Sequence, residues 1–214
     1  MKTVIYALMG ILFMAPMQAQ SSAEAKRILD EVSQAYKQRS SFHMKFDSEL
    51  HNAKTNTKDR FDGQVYVRGE RYNLSVPKMD IRQIYDGKKL HTVSADQKEV
   101  TVTTPEASGD ELFTPTKVFE MYRKGYNLSV DKTAVVNGRN LTFVKLTPTT
   151  AGSVKHVLVG IDRVKKELVQ LIEVNQNNTT TTITVKEQIA NVVVPNSLLT
   201  FNKSQYPGYY VTEM

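Results

Sequence analysis

The sequence predicts a mostly β domain: a curved antiparallel sheet of about eleven strands, incompletely closed as a barrel, with an α-helical lid. Three observations predict it. Apolar and polar residues alternate with period two over most of the chain, as on half-buried strands. Turn signals such as Asp86-Gly87 and Asn137-Gly138 join these runs by short links, so sequence neighbours pair antiparallel. Only two stretches of the mature chain switch to helical spacing, one before the strands and one among them. So many consecutive strands in one sheet should curl, and two helices would then cover the concave side.

The first 19 residues read as an address. Lys2 supplies a positive start, Val4 to Met14 is an apolar run too short to span a bilayer, and Pro16 breaks it. Met17-Gln18-Ala19 resembles a cleavage site, so residues 20–214 are expected as the mature domain, exported across the inner membrane to the periplasm. There is no cysteine. The chain therefore carries neither a lipid-bearing Cys nor a disulfide framework, and its fold rests on its core. The whole chain has 28 Lys+Arg against 22 Asp+Glu; losing Lys2 with the leader leaves 27 against 22. This mild excess is scattered, with no basic block or basic helix, and argues against a nucleic-acid partner.

Ser21 and Glu24 stand in capping-box spacing at the start of the first helix. Ile28, Leu29, Val32, Ala35 and Tyr36 form its apolar stripe. Phe42, Met44, Phe46, Ser48 and Leu50 then alternate with His43, Lys45, Asp47, Glu49 and His51 on the first strand. Further strands are expected over 59–68, 71–76, 80–86, 89–95 and 99–104. A helix is expected over about 110–124, capped by Thr114, with Pro115 at its first position and Gly125 at its end. Strands resume over 126–136, 139–147, 154–162, 167–174 and 179–189, with a short last one near 198–202. The Thr179–Thr182 run reads as strand surface.

No catalytic motif appears: no G-x-S-x-G elbow, no H-E-x-x-H, no phosphate-binding glycine loop and no cysteine nucleophile. The four histidines are His43, His51, His91 and His156. Residues eight apart on a strand, such as His43 and His51, lie about 26 Å apart, too far for one metal. No metal, cofactor or catalytic residue is therefore expected, and the protein is read as a binder, not an enzyme. Phe42, Met44, Phe46, Leu50, Phe61, Val65, Val67, Tyr72, Leu74 and Met79 on the early strands are either plain core or the lining of an apolar cavity. Met and Phe suit a pocket for flexible acyl chains, but composition leaves both readings open.

The chain resembles the outer-membrane lipoprotein carrier (LolA) family over most of its mature length, from about Ala25 to Val211. The resemblance is carried by Ala25-Lys-Arg-Ile-Leu-Asp-Glu-Val-Ser leading into Ser40-Ser-Phe-His-Met-Lys-Phe, and by Gly63-Gln-Val-Tyr-Val-Arg. It is carried further by Ile84-Tyr-Asp-Gly-Lys-Lys-Leu and by the late hairpin of Glu167–Asn175 and Thr179–Lys186. It implies an incomplete barrel holding lipoprotein acyl chains, with Leu112 to Tyr122 in the place of the lid helix. Phe113, Val118, Phe119, Met121 and Tyr122 would be the lid's apolar residues. The implied partners are acylated lipoproteins, an inner-membrane ABC-type lipoprotein release complex and an outer-membrane acceptor, with the carrier a monomer. The family's lid-latching Arg falls at Gly69, between Arg68 and Arg71, whose strand parity puts them on opposite faces. Leu198 in place of the family's Phe, and the lack of Trp, place the chain on a distant branch. The alternative function on the same half-barrel is a periplasmic regulator that senses lipid or lipoprotein.

Overall fold

The computed structural model describes residues 17–104 and 122–214. Among the described residues one α-helix, α1 (Met17–Lys37), precedes twelve strands. These are β1 (Ser41–Asn52), β2 (Thr57–Arg68), β3 (Arg71–Val76), β4 (Ile81–Tyr85), β5 (Leu90–Ser94), β6 (Glu99–Thr103), β7 (Tyr126–Val136), β8 (Arg139–Pro148), β9 (Val154–Asp162), β10 (Glu167–Asn175), β11 (Thr179–Ala190) and β12 (Tyr210–Glu213). They form one curved, unclosed sheet in the order β12-β6-β5-β4-β3-β2-β1-β11-β10-β9-β8-β7. The long β1–β11 pairing joins its two halves. The Asn137-Gly138 turn forms as the sequence requires, with both residues at positive φ (49° and 74°).

Ala25, Ile28, Leu29, Val32 and Tyr36 recur at helical spacing and are all buried. They pack on the concave face against Phe42, Met44, Val65, Val67 and Tyr72 from one half, and Val144, Leu146, Val159 and Ile161 from the other. Full burial stabilises each Val, Leu or Ile by roughly 1.5–3 kcal/mol, so this stripe holds α1 in the sheet's curve. The expected capping box does not form. Ser21 lies within α1, and its Oγ accepts the Val130 N–H of β7 at 3.1 Å, pinning the helix to the edge strand.

The C-terminal part departs from expectation. Residues 198–202 are not a strand: Asn196–Leu198 is a 3-10 turn, and Leu199 is fully buried. The segment after β11 is a strap across the convex face. Asn73 Nδ2 donates to the Leu198 carbonyl at 2.6 Å, and Phe201 stacks on His91 with ring centroids 4.6 Å apart. Phe201, Tyr206 and Tyr209 cover Val93, Val100 and Val102. The strap delivers β12 to the edge, where it pairs parallel with β6, the one departure from the expected antiparallel pattern among the described strands. No local turn announces this pairing, because a strap, not a hairpin, makes the connection.

Asp162 closes the β9–β10 turn. Its Oδ1 accepts the N–H groups of Val164 and Lys165, both at 3.0 Å, and its Oδ2 accepts from Arg139 Nε at 2.8 Å. Burial pushes the carboxyl up, but the Lys165 N–H and the Arg139 guanidinium outweigh it, so the group stays below its ordinary 3.8. A carboxyl depressed in the fold stabilises it above the unfolded value and loses that contribution as pH falls through the folded one. Wild-type stability should therefore drop as pH falls below about 4, and Asp162→Asn should lack that component while being less stable at neutral pH. Urea unfolding across pH checks both; identical slopes for the two proteins would refute the assignment.

Candidate functional site

An apolar cavity of about 230 Å³ opens on the concave face beside the helix-filled part of the core. Its walls are Met44, Phe46 and Ser48 of β1, Phe61 and Val65 of β2, Leu74 and Val76 of β3, Leu168 and Leu171 of β10, and Thr181, Ile183 and Val185 of β11. Among the described residues no charged side chain lines it, and the polar side chains in its walls are two hydroxyls, Ser48 and Thr181.

Five of the expected lining residues are there: Met44, Phe46, Phe61, Val65 and Leu74. Phe42, Val67 and Tyr72 point to the same face but lie beyond the cavity wall, buried in the core with α1. Leu50 lies near the exposed end of β1 at 37% exposure, and Met79 sits in the 3-10 turn Pro77–Met79 at 47%. Both are corrected out of the lining: the cavity ends at Ser48 on β1 and at Val76 on β3.

The β10 and β11 walls lie beyond the expected lining. Thr181, Ile183 and Val185 do alternate inward, a signal hidden by the surrounding threonines. Leu168 and Leu171 have opposite parity, and both face inward only because β10 carries an irregularity between Leu168 and Gln170.

Gly63 pairs with Phe46 across β1 and β2. A Cβ there would fall inside the Phe46 ring's van der Waals envelope and 2.9 Å from the Ser75 carbonyl oxygen. The missing side chain is what lets the Phe46 ring lie across β2 as a cavity wall. Gly63→Ala should cost about 1–3 kcal/mol and displace that ring. A urea midpoint unchanged from wild type would show that Phe46 is free to move.

Of the expected lid residues, Phe113, Val118, Phe119 and Met121 lie outside the described residues. Tyr122 is buried, and its hydroxyl donates to Asp30 Oδ1 of α1 at 2.7 Å. Burial, and then the Asp30 carboxylate, push this phenol up to about 12, so it stays a donor at neutral pH.

The expectation that Arg68 and Arg71 face opposite sides is corrected. Arg68 and Arg71 pair directly across the β2–β3 hairpin and so share one face, because the turn between them breaks the single-strand parity. That face is the convex one. Arg68 donates to the Val194 carbonyl at 2.6 Å and to Asn196 Oδ1, and Arg71 Nη2 lies 3.4 Å from the same Asn196 oxygen. The two guanidiniums hold the strap.

His43 bonds Gln64 at 3.0 Å and stacks on Tyr66. Among the described residues no cluster of His, Asp or Glu could hold a metal. A second, polar groove lies along Asp47, Glu49, Arg60, Asp62, Thr182, Thr184 and Lys186. Two of its three carboxylates are paired, Asp47 with Lys186 (2.5 Å) and Glu49 with Arg60 (2.6 Å), as on an ordinary solvated face.

No family model matches the chain, and no curated protein matches it. Solved structures do. An uncharacterized conserved protein from Thermus thermophilus superposes with a TM-score of 0.62 at 8% identity, covering 89% of this chain and 99% of its own. MucB, known from Pseudomonas aeruginosa, superposes at 0.52 with 16% identity, covering 85% of this chain and 64% of its own. A LolA superfamily protein, NE2245 from Nitrosomonas europaea, reaches only 0.47 at 9% identity, covering 83% of this chain and 97% of its own. At such identities the first two likenesses show a shared fold and nothing finer. What is shared is a curved, unclosed sheet with a helix in its concavity.

Proposed function

We propose that the protein is a periplasmic carrier that takes the acyl chains of lipid-modified proteins into the concave cavity and moves them from the inner to the outer membrane. The observation that supports this most is the cavity itself: twelve described residues from five strands, none charged, on the concave side of an unclosed sheet. Each CH₂ transferred into such a lining contributes about 0.8 kcal/mol, so a long chain has a large driving force. The cavity, about 230 Å³, is smaller than the roughly 300–1,000 Å³ of common ligand pockets. Loading therefore needs the cavity to widen. Acyl chains bind the open state better and so select it, with the segment around residues 113–122 as the lid.

In this reading residues 1–19 are a cleaved leader, the mature chain acts as a monomer, and it works by binding and not by catalysis. Among the described residues no helix is long and apolar enough to cross a membrane. Cargo would come from an ABC-type release complex of the inner membrane and pass to an outer-membrane acceptor. Titration of the mature protein with a triacylated lipopeptide, and with the same peptide lacking its acyl groups, tests the binding step. The acylated peptide should bind at least a hundredfold more tightly. Equal binding of the two, or none, would overturn the proposal.

A further inference from the structure

Three tyrosine hydroxyls are buried near the concave core, and they differ in one respect. Tyr36 donates to Gln188 Oε1 at 2.8 Å and accepts from the Leu168 N–H, and Tyr122 donates to Asp30. Tyr72 is 1% exposed, and its hydroxyl has no hydrogen-bond partner among the described residues. A buried donor left unpaired destabilises the protein that holds it, so its persistence calls for a reason.

Its position offers one. In the β2–β3 ladder Tyr72 pairs with Val67, and the next pair on the same face, Val65 and Leu74, is cavity wall. Tyr72 therefore stands one inward-facing pair beyond the lining, towards α1, with its ring 5.8 Å from that of Tyr85. A chain that filled the cavity with its carbonyl end towards α1, parting the packing beside it, would bring that carbonyl to this hydroxyl. With no Lys or Arg among the described lining residues, a carboxylate or phosphate would lie there uncompensated. A neutral carbonyl, which only accepts, matches a single phenolic donor among apolar side chains.

We propose that the Tyr72 hydroxyl is the donor for the carbonyl that links an acyl chain to its head, so that the site prefers ester- or amide-linked chains over alkyl ethers. This rests on the acyl-binding reading above and names its ligand class more closely. The unpaired hydroxyl is then a built-in cost of the unliganded state that cargo relieves.

The test uses the mature protein, a phospholipid with two ester-linked chains, and its dialkyl-ether twin of equal chain length. Affinities are read by displacement of a fluorescent fatty probe. Wild type should favour the ester lipid by about five- to tenfold, the effect of one neutral hydrogen bond. Tyr72→Phe should lose that preference through weaker ester binding, keep its affinity for the ether lipid, and melt higher than wild type when unliganded. A variant that keeps the preference, or that melts lower, overturns the assignment. If wild type binds neither lipid, the acyl-binding reading fails as well, and the two failures are told apart by the ether lipid.

Discussion

Ile183→Asp should lower affinity for acylated ligands by more than a hundredfold while the sheet still forms. Ile183 lies in the middle of the β11 wall, which shares the cavity with Phe46 and Leu171. A carboxylate there would have to be stripped of water against apolar side chains, with no cation among the described lining residues to receive it. The cost is several kcal/mol, and each 1.4 kcal/mol is about tenfold in affinity. Thr182→Lys is the matched control. Thr182 is one residue away on the opposite face, directly across from Glu49, so a new charge there is solvated and compensated. It should leave binding within about twofold of wild type. Equal losses in both variants would mean that the β11 strand matters for folding and not for its inner face.

The second large effect concerns the helix that fills the other half of the concavity. Tyr36→Phe should destabilise the fold by about 2–4 kcal/mol, read from the urea midpoint. The hydroxyl ties α1 to two strands at once: it receives the Leu168 N–H of β10 at 3.2 Å and donates to Gln188 of β11 at 2.8 Å. Removing it strands a buried backbone N–H and a side-chain amide together. The ring would stay packed edge-on against Phe42, 5.5 Å away, so the loss is polar and not a cavity. A change below about 0.5 kcal/mol would show that water reaches both groups.

Period and turn chemistry make most of the sheet legible. The alternation Phe42-Met44-Phe46 and the Asn137-Gly138 hairpin lead directly to β1 and to the β7–β8 pair, and both form as expected. What escapes is whatever depends on distant contacts. β12 has strand-prone residues, but its parallel partner β6 precedes it by about 110 positions, and nothing local marks the pairing. Parity puts Arg68 and Arg71 on opposite faces only if it is carried through the turn at Gly69, where φ is 61° and the chain reverses. The cavity is half legible. Its β1–β3 walls follow strict alternation, whereas the β10 wall depends on a register irregularity that no pattern of apolar residues announces. Leu50 and Met79 show the converse limit: an apolar residue in phase with the wall still lies outside it when the strand runs past the cavity or ends in a turn.

The proposed carriage is tested most directly by native mass spectrometry of the mature protein, isolated gently from the periplasm of its own cells. The expected result is a bound mass that fragments to an acylated polypeptide. A bound free phospholipid or fatty acid with no acylated polypeptide among the bound species would contradict carriage of proteins and favour a lipid-sensing regulator. A clean unliganded mass, with no uptake of an added triacylated peptide, would mean that the concave cavity is no more than an imperfection of the core.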